Sequence, residues 1–231
     1  YLFSITNTWE WLGSGKKYCM RKPLKKYGKS ERKSLEAKFP RSALEDVRTV
    51  WDQAFETLSI DELDLWVQFG LTLVKESTHT AQVTSKYFKV SLRIIDLITF
   101  THFVRWAEYG TTLFQKSPDL AISYFDSSPE TIVHLKSRHM DMWVNLGLNL
   151  YKNDRKSLIL SSKYFEAGPN LVETLTMSEI EQFVSFLDFA RKHSYDLAYK
   201  CLCMAKEIFP LLGKNKKFFF SLANRQMKKN W

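Results

Sequence analysis

Trp66-Val-Gln-Phe-Gly70 returns as Trp106-Ala-Glu-Tyr-Gly110 and again as Trp143-Val-Asn-Leu-Gly147. The tryptophans stand 40 and then 37 residues apart. Each copy is followed by an aromatic pair: Tyr87-Phe88, Tyr124-Phe125 and Tyr164-Phe165. A period of this size marks helical units that stack and bury a shared core. Residues four apart lie on one helical face, so each Trp sits one turn below its Gly. A Gly inside a helix costs about 1 kcal/mol relative to Ala. The same cost in three places points to a neighbour that comes too close for a side chain. The Trp then buries a large apolar surface beside that contact. Nothing polar converges on the tryptophans, so the pattern reads as packing and not as a ligand box.

A fourth copy is degraded. A spacing of 40 puts Phe183 at the Trp position and Leu187 at the Gly position. Ser194-Tyr-Asp-Leu-Ala198 also echoes Ser117-Pro-Asp-Leu-Ala121. Pro129, Pro169 and Pro210 keep the same beat, 40 and 41 residues apart. A terminal unit that departs from its siblings is what the end of a solenoid requires, because its outer face meets water or another domain. The expected fold is therefore all-α: a helical-repeat solenoid with a period of 37–40 residues, a HEAT- or TPR-like superhelix.

Local signals divide the chain into three parts. Residues 1–58 are expected to be a basic helical segment. Thr8-Trp-Glu-Trp-Leu-Gly13 resembles a repeat start, a helix is expected from Ser30 to Lys38, and Pro40 stops it. Ser42-Ala-Leu-Glu45 is a capping box for a helix with the stripe Leu44, Val47, Val50/Trp51, Ala54 and Leu58. Residues 59–212 are expected to hold about four units. Ser59-Ile-Asp-Glu62 and Thr176-Met-Ser-Glu179 are capping boxes, and Ser117-Pro118-Asp119 offers an N-cap, an N1 proline and a first-turn acid. Ser128-Pro129-Glu130 and Gly168-Pro169 read as breaks that open a third short helix in a unit. Residues 213–231 are expected to be a basic helix that caps the stack.

The 231 residues are 45% apolar, enough for a continuous core. The net charge of +9 is uneven. Residues 1–48 carry 12 Lys/Arg against 5 Asp/Glu, residues 49–208 carry 16 against 20, and residues 209–231 carry 6 against none. A solenoid whose repeats line a nucleic-acid groove would carry cations in the repeats, and these repeats are mildly acidic. Basic ends remain able to meet phosphate or acidic surfaces. No stretch is apolar for the roughly 20 residues a membrane span needs. Three cysteines, with Cys201 and Cys203 two apart, give no disulfide framework or zinc spacing, and reduced thiols imply a cytoplasmic protein.

The search for chemistry ends without a site. His79, His102, His134, His139 and His193 form no HExxH pair. Gly13-Ser-Gly15-Lys16-Lys17 lacks the upstream Gly and the following Ser/Thr of a P-loop. Asp61, Glu62 and Asp64 read as a helix start. The expectation is a non-enzyme without catalytic, cofactor or metal residues.

Trp-x-x-x-Gly, then Tyr-Phe, then Ser-Pro, resembles the helical repeat region that accompanies von Willebrand factor A domains in partners of MoxR-type AAA+ ATPases, the CbbO- and NorD-like proteins. Trp106, Gly110, Ser117, Ala121, Tyr124, Phe125, Ser128 and Pro129 carry the best match. The resemblance implies an adaptor or scaffold between a motor ATPase and a client enzyme. The Asp-x-Ser-x-Ser metal loop of that family's A domain is not in this sequence, so its metal contact does not transfer. The competing expectation is a HEAT-like nucleic-acid binder that uses its basic termini. A TPR-like peptide receptor ranks third, because its period of 34 fits poorly.

Overall fold

The computed structural model describes residues 41–74, 78–136 and 139–229, together with Lys33, Ala37 and Phe39. The readings made for residues 1–32 lie outside them, as does most of the helix expected from Ser30 to Lys38. The described chain is all helical, without a strand among these residues. Eleven α-helices follow one another: α1 Arg41–Thr57, α2 Ile60–Thr72, α3 Thr78–Leu97, α4 Phe100–Lys116, α5 Pro118–His134, α6 Met140–Leu150, α7 Arg155–Thr174, α8 Met177–His193, α9 Tyr195–Cys203, α10 Ala205–Leu212 and α11 Lys216–Lys229. A 3-10 turn, Gly213–Asn215, joins the last two.

The helix starts follow the sequence. Ser59 and Glu62 cap α2 reciprocally, and Thr176 and Glu179 do the same for α8. Ser117 accepts from the Asp119 amide ahead of Pro118 at the start of α5. Asp154 and Ser157 form a further box at α7. Helix α1 already begins at Arg41, so Ser42 lies inside it and is not its N-cap. The stripe read for α1 does face inward: Val47, Trp51, Ala54 and Leu58 are buried, and Leu44 and Val50 are half-buried.

The third short helix expected in each unit is absent from the second and third copies. Pro129 lies within α5 and Pro169 within α7. Ser-Pro-Glu looks like a helix start because an N-cap serine binds a forward amide. Here the Ser128 hydroxyl turns back to the Tyr124 carbonyl. Ser127 donates to the Ser123 carbonyl at 2.8 Å, and Thr131 to the Ser127 carbonyl at 2.8 Å. The Ser128 hydroxyl is thus used backwards within the helix and does not cap a new one. Gly168 is no break either. A Cβ there would sit 2.8 Å from Thr131 Oγ1 and 3.1 Å from Trp143 Cζ2, so Gly168 lets α7 close on α5.

Helix neighbours are regular. Helices α1, α3, α5 and α7 pack side by side in that order, and α7 then meets α9 and α10. Helices α2, α4, α6 and α8 adjoin in turn, and α11 packs on α8. Each Trp-Gly helix also packs on the Tyr-Phe helix that follows it.

The recurring motif has the same geometry three times. Trp66, Trp106 and Trp143 are fully buried. Tyr87 donates its hydroxyl to the Trp66 carbonyl at 2.9 Å, Tyr124 to that of Trp106 at 3.2 Å, and Tyr164 to that of Trp143 at 3.1 Å. Phe88, Phe125 and Phe165 fill the space over Gly70, Gly110 and Gly147, where a Cβ would lie under 3.0 Å from the ring. The close neighbour that excludes a side chain is thus a Phe ring. Rings also bridge the copies. Tyr87 stacks on Trp106 at 5.7 Å and Tyr124 on Trp143 at 5.6 Å.

Two further beats complete the row. Phe183 is buried in α8 at the Trp position, and Leu187 is buried at the Gly position. Opposite them Leu202 stands where Phe125 stands in α5, so loss of the Gly coincides with loss of the Phe. Phe220 lies 37 residues beyond Phe183, is buried in α11, and meets Phe183 at 6.5 Å. The position one residue after the Trp is buried as Val67, Ala107, Val144 and Val184, but in α11 it is the exposed Ser221. Helix α11 therefore follows α8 in the row of Trp-Gly helices, with a changed pattern of buried and exposed positions.

Candidate functional site

Cross-helix ion pairs join α3 to its two neighbours, α1 and α5. Lys86 bridges to Asp126 at 2.7 Å, Lys89 to Asp46 at 3.0 Å, and Arg93 to Glu130 at 2.7 Å. Most of these groups are well exposed, so each pair contributes little stability. Asp46 is more enclosed. Burial pushes its carboxyl up, but the Ser85 hydroxyl and Lys89 ammonium outweigh burial and hold it below the usual carboxylate range.

The pattern changes between α5, α7 and α9. Where α3 offers Lys86 to Asp126, α5 offers the Ser123 hydroxyl to Glu166 at 3.5 Å. Beside this weaker rung lies an open groove of about 360 Å³. Asp119, Ile122 and Ser123 line it from α5, and Tyr199 lines it from α9. Helix α7 contributes Leu158, Ile159, Ser162, Lys163 and Glu166, which helical spacing places on one face.

Its chemistry is mixed. Ile122 and Leu158 are half-buried, and Ile159 is 41% exposed, a large apolar side chain left to solvent. Tyr199 stacks on Tyr195 at 6.0 Å, which fixes one aromatic wall. The Ser162 hydroxyl is shielded yet has no hydrogen-bond partner among the described residues. Lys163 binds Glu166 at 3.0 Å, and that partner raises the lysine's pKa. The groove thus offers apolar contact, one unused hydroxyl and a polarised ion pair. Such a set suits a segment of another protein, with apolar anchors framed by a few polar contacts.

The histidines are scattered. His102 shares a 2.7 Å hydrogen bond with Thr99, and the His193 ring packs 4.5 Å from that of Phe189. Asp61, Glu62 and Asp64 lie at or near the start of α2, as read from sequence. Among the described residues, no three His, Cys, Asp or Glu side chains are grouped to hold a metal ion. Cys201 and Cys203 are free thiols, the first half-buried and the second exposed.

Sequence reading did not single out Ile122, Ile159, Ser162 or Tyr199. One signal was present: Ile159 is out of phase with Leu160 and Tyr164, which are buried in the same helix. Among the described residues no helix is long and apolar enough to cross a membrane. No family model matches the chain, and neither a curated protein nor a solved structure does.

Proposed function

We propose that the chain is a helical-repeat solenoid acting in the cytoplasm as a non-catalytic protein-interaction scaffold, with the groove between α5, α7 and α9 as its partner seat. The expected parts are a basic helical segment over 1–58, about four units over 59–212, and a basic cap over 213–231. The observation that carries the reading is the groove. It interrupts an otherwise charge-paired face with Ile159, Ile122 and Tyr199. The recurring Trp–Gly and Tyr–Phe contacts fasten α5 and α7, two helices of this seat, to the Trp-Gly helices before them.

The resemblance to the repeats of CbbO- and NorD-like proteins gives the partner class: a MoxR-type AAA+ ATPase, with the chain as the helical part of an adaptor that activates a client enzyme. Titration of the purified chain with the MoxR-type ATPase of the same genome tests this. Saturable binding is expected, weakened about tenfold by Ile159→Asp, a cost typical of losing an apolar anchor. Absence of binding sinks the ATPase assignment. Binding that Ile159→Asp leaves unchanged sinks the groove. Binding of single- or double-stranded nucleic acid that falls steeply with salt would favour the basic termini as the working surface instead.

A further inference from the structure

The C-terminal end of the molecule displays apolar side chains that its packing does not use. Helix α11 buries Phe220 and sets Phe219 against Phe186 at 6.4 Å. Phe218 and Leu222, one turn apart on another face, are 64% and 41% exposed. Leu211, at the end of α10, is 87% exposed. In earlier Trp-Gly helices the positions of Phe218 and Leu222 hold polar residues in most copies: Asp64, Asp141 and Glu181 for the first, and Gln68, Glu108, Asn145 and Ser185 for the second. Among these helices α11 alone is apolar at both positions; α4 is apolar at the first, with Val104.

Charge changes at the same place. Residues 209–231 contain six Lys/Arg and no Asp/Glu. Exposed Arg225 follows Leu222 at helical spacing, and Lys229 takes the next register position in α11. One of these cations is already engaged. Lys216 donates to the Thr174 carbonyl, and Lys214 and Lys216 line a cleft with Glu173 and Glu179. None of Leu211, Phe218 or Leu222 lines that cleft. All three are exposed.

We propose that this end of the chain docks on an anionic lipid surface, inserting Leu211, Phe218 and Leu222 among the acyl chains while Arg225 meets the headgroups. Exposed apolar groups beside a cation are what such a surface recognises, and it needs no groove.

The test is flotation of the whole chain with vesicles of phosphatidylcholine alone or with 30% phosphatidylserine. Binding to the anionic vesicles only, weakening as salt rises, is the expected result. The Phe218→Ser/Leu222→Ser variant should bind about tenfold more weakly while its helical signal and melting temperature stay unchanged. Ile159→Asp should bind vesicles like the parent, which separates this surface from the groove. Three results would overturn the proposal: no binding to anionic vesicles at low salt, equal binding by the Phe218/Leu222 variant, or capture by polyglutamate without vesicle binding.

Discussion

Gly110→Ala is the sharpest probe of the recurring contact. The added methyl would lie well inside 3.0 Å of the Phe125 ring, whereas ordinary van der Waals contact begins near 3.4 Å. Phe125 is fully buried and ringed by Trp106 at 5.1 Å, Tyr124 at 5.5 Å and Tyr87 at 5.8 Å, so it has little room to retreat. Overpacking of this kind costs about 1–3 kcal/mol. Replacing a helical Gly by Ala returns about 1 kcal/mol of helix propensity. The net loss is then about 0–2 kcal/mol, or up to ~8 °C in melting temperature at ~2–4 °C per kcal/mol for a chain of this size. The decisive readout is the cycle with Phe125→Leu, which shrinks the ring that the methyl strikes. Phe125→Leu alone leaves a cavity and costs about 1–3 kcal/mol. The double variant should lose about 1–2 kcal/mol less than the two single losses together, within the range for touching residues. In the fourth copy both positions are leucines, Leu187 and Leu202, and both are buried. Denaturant unfolding of the four proteins measures it. Additive losses, or a Gly110→Ala protein more stable than the parent, would show that Phe125 does not fill the glycine's space.

Other expectations follow from single contacts. Tyr124→Phe removes a buried hydroxyl from the Trp106 carbonyl and should cost about 0.5–1.5 kcal/mol in the same assay. Gly213 has φ +48° with nothing within 4 Å, so Gly213→Ala adds backbone strain alone; a loss of about 1–2 kcal/mol, with faster hydrogen exchange in α11, is expected. Asp46 titrates below its ordinary 3.8 in the folded chain, so its contribution is present above that pH and fades as pH falls through the folded value. Asp46→Asn should therefore lower the melting temperature at pH 7, with the difference closing below about pH 4.

The parts of the fold legible in the sequence were those written in local chemistry. Ser59-Glu62, Thr176-Glu179 and Ser117-Pro118 mark helix starts because a side-chain oxygen meets free amides, and all three do so in the structure. The Trp-x-x-x-Gly spacing revealed a close contact, but not that a Phe ring makes it. That ring comes from another helix, 18 residues or less beyond the glycine. The continuity of α5 and α7 through Pro129 and Pro169 was hidden because serine before proline has two uses, forward capping and backward bonding. Only the position of the Tyr124 carbonyl decides between them. The groove was hidden for a different reason. Ile122, Ile159 and Tyr199 come from three helices, and each alone resembles an ordinary surface residue. Phe220 was readable in principle, since it keeps the spacing of 37 seen between Trp106 and Trp143.

Hydrogen exchange on the chain with and without its MoxR-type ATPase tests the partner seat most directly. The account predicts slowed exchange in α5, α7 and α9, centred on the backbone around Ile122, Ile159 and Tyr199. Unchanged exchange there, or protection confined to α2, α4 and α6, would contradict it.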